Sequence, residues 1–528
     1  MLLTAAEPPH IIRASPTAVP PGNPTEITFF GERLGTLSNL WTSFPCTWTS
    51  LKSSSTQALF RLIVLSNAPV QIGAVRLFGT NALSDLHLVM LDDLPTAMKG
   101  ESKPAALTLG TAIDDIIDEM KTASFTFGAK KGEGFSIELL AHRLGSALDP
   151  ILRVLDHEGK ELVYSLQYSD PNGDPRFRFQ APQTGTYTIE LRDVGYRGGA
   201  TYFYRLRFGK FPIITSPFPP FIQRSARARL AFVGPATEGV AVKHFDDSAN
   251  ATNIYQMWRM ISAQSPENPG SSYALLGVSD LPQIVETEPN DKPAQATKVE
   301  APMGINGTFE KPRDRDYYEF KANKGERVII SARTRSLGSA CDVSLRLLDG
   351  QGAQIAESTN TTASEGVILS SFTNSGTFRL LVEELTGAAA PDFVYHIDIK
   401  PNPPGFSLST ENDTVEKTTN AAVAINVSSI RDRFEGPITL SVKGLAGYLV
   451  ENAVMKEKKT NSMTLRILLP QSLPAAQVAV GYIQGEATIE DNPYTTSVST
   501  LPALRKEFPM LLYPPEQFDG MIWLLRRN

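Results

Sequence analysis

Apolar and polar residues alternate with a period of two along much of this chain. Tyr202, Tyr204, Leu206 and Phe208 fall on one face of a strand, with Phe203, Arg205 and Arg207 on the other. Tyr187-Thr188-Ile189-Glu190-Leu191 and Val394-Tyr395-His396-Ile397-Asp398-Ile399 repeat the pattern. Successive side chains of a strand point to opposite sides, so these segments predict sheets with one buried and one wet face. Turn residues separate them: Asp170-Pro171-Asn172-Gly173-Asp174, Asp349-Gly350-Gln351-Gly352, and glycines at 185 and 376 ahead of paired strands. Two stretches have helical spacing instead. Ile113, Ile116, Ile117 and Met120 follow the i, i+3, i+4, i+7 rule opposite Asp114, Asp115, Asp118 and Glu119, and Ile254, Met257, Trp258 and Ile261 do likewise. Each predicts a short helical turn packed on a sheet.

The chain also repeats itself. Phe127 to Gly159 aligns without a gap on Phe320 to Gly352 at a constant offset of 193, with 16 of 33 positions identical. Gly185-Thr186-Tyr187 matches Gly376-Thr377-Phe378, and Tyr204 matches Tyr395, at an offset of 191. Upstream of each block lies a Pro-rich opening, at Ile11 to Pro16 and at Ile213 to Pro217, and both upstream segments end in Asp-Leu-Pro, at Asp93 and at Asp280. A cassette of one small and one larger β domain is therefore present twice. The predicted fold class is all-β, with tandem β-sandwich domains at 8–95, 96–210, 211–282, 283–401 and 402–528. The fifth reads as an immunoglobulin-like sandwich with a C-terminal tail.

Composition narrows the function classes. A length of 528 residues accommodates several domains, and 41% apolar with 20% charged residues argues for real cores over long disorder. A net charge of −6 gives no basic footprint for nucleic acid. Cys46 and Cys341 lie in different units and read as small buried hydrophobes, not a disulfide framework. No window reaches the apolar length of a bilayer span. Leu2, Leu3, Ala5 and Ala6 look like the tail of a truncated signal peptide, although a basic n-region is missing.

The run Glu286-Thr287-Glu288-Pro289-Asn290-Asp291, then Asn306-Gly307-Thr308, then Asp314-Arg315-Asp316-Tyr317-Tyr318-Glu319-Phe320 resembles the bacterial pre-peptidase C-terminal (PPC) domain. Lys324-Gly325-Glu326, Leu348-Asp349 and Ser375-Gly376-Thr377-Phe378 continue the match. The resemblance covers 283–401 well and 96–210 as a diverged copy. The openings at 8 and 211 resemble IPT/TIG immunoglobulin-like domains. Such a likeness implies jelly-roll-like sandwiches in an exported bacterial protein, secreted, periplasmic or envelope-associated. It also implies Ca²⁺, with Glu286, Glu288, Asn290, Asp314 and Asp316 as ligands, since Ca²⁺ takes carboxylate and amide oxygens. In the first copy Lys121 and Ala123 stand at the positions of Asp314 and Asp316, so only the second copy, 283–401, is expected to bind it.

No catalytic constellation emerges. The six histidines are scattered, and neither a zinc spacing, a G-x-S-x-G elbow nor a P-loop occurs. His244 with Asp246 and Asp247 reads as a solvated turn, and His142-Arg143 as a surface strand end. Arg205, Arg207, Arg224, Arg227 and Arg229 would make a basic strip if their strand faces were joined. Met521 to Arg527, apolar then basic, reads as a last strand or docked tail. The sequence thus predicts a non-catalytic exported binding and scaffolding protein, its domains in a row, with a protein or glycan ligand. The alternative is an accessory region of, or partner to, a secreted peptidase or other hydrolase.

Overall fold

The computed structural model describes residues 7–80, 82–97, 105–165, 170–250, 256–264, 270–361, 364–416, 422–445, 447–457, 461–469 and 477–525. Strands make up 55% of the chain and helix 5%, so the protein is all-β. Leu2, Leu3, Ala5, Ala6 and Ile254 lie outside the described residues.

The alternating segments pair into sandwiches. In the first unit, His10–Ser15, Thr25–Glu32, Gln57–Val64 and Cys46–Ser53 form one sheet in that order. Ala18–Val19, His87–Leu91, Gln71–Phe78 and Asn39–Thr42 form the other. Phe29, Phe60, Leu62, Leu77 and Val89 fill the space between. In the second unit the order is Thr111–Ile116, Phe203–Gly209, Gly134–Leu140, Arg176–Gln180, facing Glu161–Tyr164, Pro150–Leu155, Gly185–Asp193, Ala123–Ala129, Ala105–Ala106.

The fourth unit repeats this order. Met303–Thr308, Val394–Pro401, Arg327–Arg333 and Ser364–Ser371 face Gln354–Glu357, Val343–Leu348, Gly376–Glu384, Arg315–Ala322 and Thr297–Lys298, with short strands added at the edges of the first sheet. Even the parallel edge pair recurs. So does a single 3₁₀ turn closed by a left-handed glycine, Gly145 in one unit and Gly338 in the other. The third unit is smaller, with two three-stranded sheets, and the fifth is one extended sheet system between Gly405 and Leu525.

The two cassettes also repeat their internal interface. The Thr17 amide donates to Asp114 Oδ2 at 2.8 Å, and Arg205 Nη1 donates to Asp114 Oδ1 at 2.7 Å. In the second cassette the Phe221 amide donates to Asn306 Oδ1 at 3.0 Å, and His396 Nδ1 contacts the same oxygen at 3.2 Å. Each smaller domain is thereby bonded by a backbone N–H to the first long strand of the larger one.

This interface overturns the wet-face reading of Arg205 and Arg207. Both are fully buried, and both pair with Asp92 of the first unit. Arg207 also pairs with Glu138 at 2.5 Å. They share no basic strip with Arg224 and Arg227, which hydrogen-bond Asp280 and Asp246 of the third unit, or with Arg229, which lies across from His244. The helical expectations fail as well: Thr111–Ile116 and Trp258–Gln264 are strands. Ile113 and Ile117 are an even number of residues apart, so they share a face in either geometry, and pairing with Phe203–Gly209 decides for the strand. His142-Arg143 is not a surface strand end. It forms the 3₁₀ turn, where Arg143 is held by Glu138, Asp170 and Asp174 at 2.9–3.1 Å. The expected turn at His244 is strand Lys243–Asp246, and Asp247 is buried against Arg259 at 2.7 Å.

The domains do not stand in a row. The C-terminal segment carries the one α-helix among the described residues, Leu501–Glu507, and the strand Ile522–Leu525. Leu504, Phe508, Phe518, Met521 and Trp523 share a core with Ile72, Leu88 and Met90 of the first unit and Leu140, Leu144 and Phe203 of the second. Arg76 of the first unit pairs with Asp413 of the fifth. Among the described residues no helix is long and apolar enough to cross a membrane.

Candidate metal centre

The acidic run enters the fourth unit as an extended linker beside two strands of the second sandwich. Glu286 follows strand Gln283–Val285, and Asp314 directly precedes Arg315–Ala322, which carries Asp316. Period two then puts Asp316 and Tyr318 on the same face, next to Tyr395 of the facing sheet. Glu288, Asp314 and Asp316 converge so that one carboxylate oxygen from each lies within 4.8 Å of the others. Asn290, Asp314 and Asp316 are buried.

Much of this cluster lacks partners. Glu288 Oε1, Asp316 Oδ1 and both amide atoms of Asn290 are buried without a hydrogen bond. Asp314 is better provided for: Oδ2 accepts from the Glu310 amide at 2.8 Å, and Lys311 Nζ lies 3.5 Å from Oδ1. Glu286 stands apart from the other four. Its Oε1 accepts from the Thr308 hydroxyl at 3.0 Å and its Oε2 from Tyr395 at 2.9 Å and Tyr318 at 3.2 Å. Tyr395 Oη lies 2.6 Å from Asp316 Oδ2, so a tyrosine hydroxyl couples Glu286 to the cluster. Burial raises the Asp316 carboxyl far above the usual range, and the neighbouring Glu286 adds to it. Burial likewise raises Glu286, against the pull of its hydrogen bonds. Three acids and an amide packed into one buried spot are electrostatically incomplete.

The donor set suits a hard cation. Oxygens alone are offered, three from carboxylates and one from an amide, which is the chemistry of Ca²⁺ and not of Zn²⁺. The sequence reading missed the residues that hold the cluster: Tyr318, Tyr395, Thr308 and Gly307. Gly307, Thr308 and Tyr318 stand in the same linear motif as the proposed ligands, and Tyr395 alone of the four lies outside it. At corresponding places in the second unit stand Lys121, which is exposed, half-buried Ala123 and Asp115, and buried Phe125, and among the described residues the cluster is not reproduced there.

A family model described as bacterial pre-peptidase C-terminal domain matches residues 121–193, inside the second unit. Among solved structures, the pre-peptidase C-terminal domain of a collagenase from Bacillus anthracis is matched over all of its length and 21% of this chain, at 17% identity and a TM-score of 0.18. A periplasmic inhibitor of g-type lysozyme from Aeromonas hydrophila is matched over 97% of its length and 20% of this chain, at 16% identity and a TM-score of 0.16. A Bacteroides ovatus protein of a mixed-linkage glucan utilization locus, solved with a heptasaccharide, is matched over 74% of its length and 75% of this chain, at 9% identity and a TM-score of 0.16. No curated protein matches the chain.

Proposed function

We propose that this chain, which carries a bacterial pre-peptidase C-terminal domain, is an exported, non-catalytic binding scaffold whose fourth unit takes up Ca²⁺. The carrying observation is the set of orphaned buried oxygens on Glu288, Asn290 and Asp316 beside Asp314. Glu288, Asn290, Asp314 and Asp316 would hold the ion directly, and Glu286 would act behind them through the Tyr395 hydroxyl. The bound ion supplies positive charge that neutralises the cluster. The protein supplies position: the linker brings Glu288 and Asn290, and the strand start brings Asp314 and Asp316. Because linker and strand are joined at this point, the ion would fix how the third unit enters the fourth.

The test is calorimetric titration of Ca²⁺ into the full chain. One saturable site is expected, weakened at least tenfold in Glu288→Gln, with charge loss at one ligand as the cause. An unchanged isotherm in Glu288→Gln, or no binding to the parent chain, overturns the calcium reading. Export is read separately, from whether the intact gene product leaves the cytoplasm.

A further inference from the structure

A cleft of about 140 Å³ lies where all five units meet. Leu88 reaches it from the first unit, Arg176 from the second, Trp258 and Tyr273 from the third, and Arg335 from the fourth. Tyr513 and Gln517 close it from the C-terminal segment. Its walls combine aromatic rings with polar groups left incomplete. Tyr513 Oη, Arg335 Nε and Gln517 Oε1 are each buried with no hydrogen-bond partner. Unpaired buried polar groups are costly and rare in folded proteins, and here three of them belong to residues that line one cleft.

The wall also holds two acids, and both are already paired, Asp170 with Arg143 at 2.9 Å and Glu516 with Arg333 at 2.9 Å. Arg143 in the same wall is fully engaged with Glu138, Asp170 and Asp174. Among the described residues Arg176 hydrogen-bonds the Ile214 carbonyl alone, at 3.3 Å, and Arg335 pairs with Asp342 alone, at 4.0 Å. A methyl group built on Gly338, three residues beyond Arg335, would stand 3.6 Å from Arg176 Nη2. The two arginines therefore approach the cleft from adjoining segments, and among the described residues neither guanidinium hydrogen-bonds a carboxylate.

We propose that this cleft binds a small carboxylate carried on a single ring. Planar guanidinium forks match carboxylates in a paired geometry. Trp258 and Tyr273 offer apolar ring surface, while Tyr513 and Gln517 serve the remaining polar substituents. The size agrees, since a cavity of about 150 Å³ accommodates one benzene ring. The ligand would touch the second, third, fourth and fifth units at once, so its binding would hold those four together. This gives the proposed scaffold a ligand class, and it is independent of the cation cluster, so either can fail alone.

The experiment titrates the full chain with benzoate and glucuronate, and with their neutral counterparts benzyl alcohol and glucose. Saturable binding of at least one acid is expected, with its neutral counterpart at least about tenfold weaker, as a charge-assisted contact implies. Arg335→Gln should abolish that preference, and Tyr513→Phe should weaken binding without abolishing it. If neither acid binds the parent chain, or the neutral compound binds as well as its acid, the proposal is overturned. That selectivity is read on the unaltered protein, so it decides the matter even if a variant fails to fold. Calcium titration of the same samples reports on the cation cluster separately.

Discussion

Gly307 occupies a position where a single methyl group would reach the metal centre. A Cβ there would stand 2.2 Å from Tyr395 Cζ and 2.6 Å from Glu286 Oε2. Both atoms belong to the hydroxyl bridge that couples Glu286 to Asp316, and the ring that must yield is buried on both sides. Gly307→Ala should therefore cost about 1–3 kcal/mol of stability by overpacking and weaken Ca²⁺ binding, although residue 307 is not itself a proposed ligand. Thermal unfolding with and without Ca²⁺ measures both. A variant as stable as the parent and equal in its calcium response would show that the bridge does not position the site. As proposed ligands, Glu288, Asn290, Asp314 and Asp316 were legible in the sequence because a linear motif carries them. Tyr395 was not, since it lies 79 residues from Asp316 and only sandwich closure brings the two within 2.6 Å. Glu286 enters the expected ligand set through the family resemblance, and its carboxylate accepts from the Thr308, Tyr318 and Tyr395 hydroxyls.

Strand periodicity was the dependable signal at the scale of elements, and it failed where a second domain covered the outer face. Phe203–Gly209 alternates as a half-wet strand would, yet all seven residues are buried. Nothing local distinguishes an arginine facing water from one facing Asp92 of another unit. The helical reading of Ile113 to Met120 failed for a different reason, a window too short to separate the two periods. The buried arginines carry a pH signature. Burial raises the Glu138 carboxyl, but Arg143, Arg207 and Arg176 outweigh it and hold it at about 2, against 4.5 for the ordinary group. Tyr273 also faces this cluster, its hydroxyl 3.2 Å from Arg143 Nη1. Because the folded value is depressed, the stabilisation is complete above about pH 4.5 and is lost as pH falls from there toward 2; the shift corresponds to about 3 kcal/mol. Removing one partner of such a network leaves a buried charge exposed to its full desolvation cost. Glu138→Gln should accordingly destabilise the chain near neutral pH, and the gap from the parent should close between pH 4.5 and 2. Urea melts across that range measure it, and a gap that stays constant with pH would place the effect in packing rather than charge.

Tandem cassettes in sequence do not say whether the units are strung out or gathered, because the contacts that decide lie hundreds of residues apart. Here they are gathered, and the C-terminal segment closes the arrangement. Trp523 is fully buried, edge-on to Trp41 at 5.3 Å, with the Arg76 guanidinium 4.3 Å above its ring. Five domains of this size in a row would have a radius of gyration of about 50 Å, whereas that of a gathered chain of 528 residues should be about 24 Å. Small-angle scattering of the full chain should give the smaller value. The same contact predicts what opens it. Trp523→Ala removes the ring that joins the first unit to the fifth and should cost about 3–5 kcal/mol at that interface. Its loss is felt by the shared core of the first, second and fifth units, while the internal interface of the second cassette, built on Phe221, Asn306 and His396, does not involve Trp523. The expected result is a larger radius of gyration with retained β-sheet circular dichroism. An unchanged radius would mean that the cassette contacts alone gather the molecule, with the C-terminal segment merely resting on them.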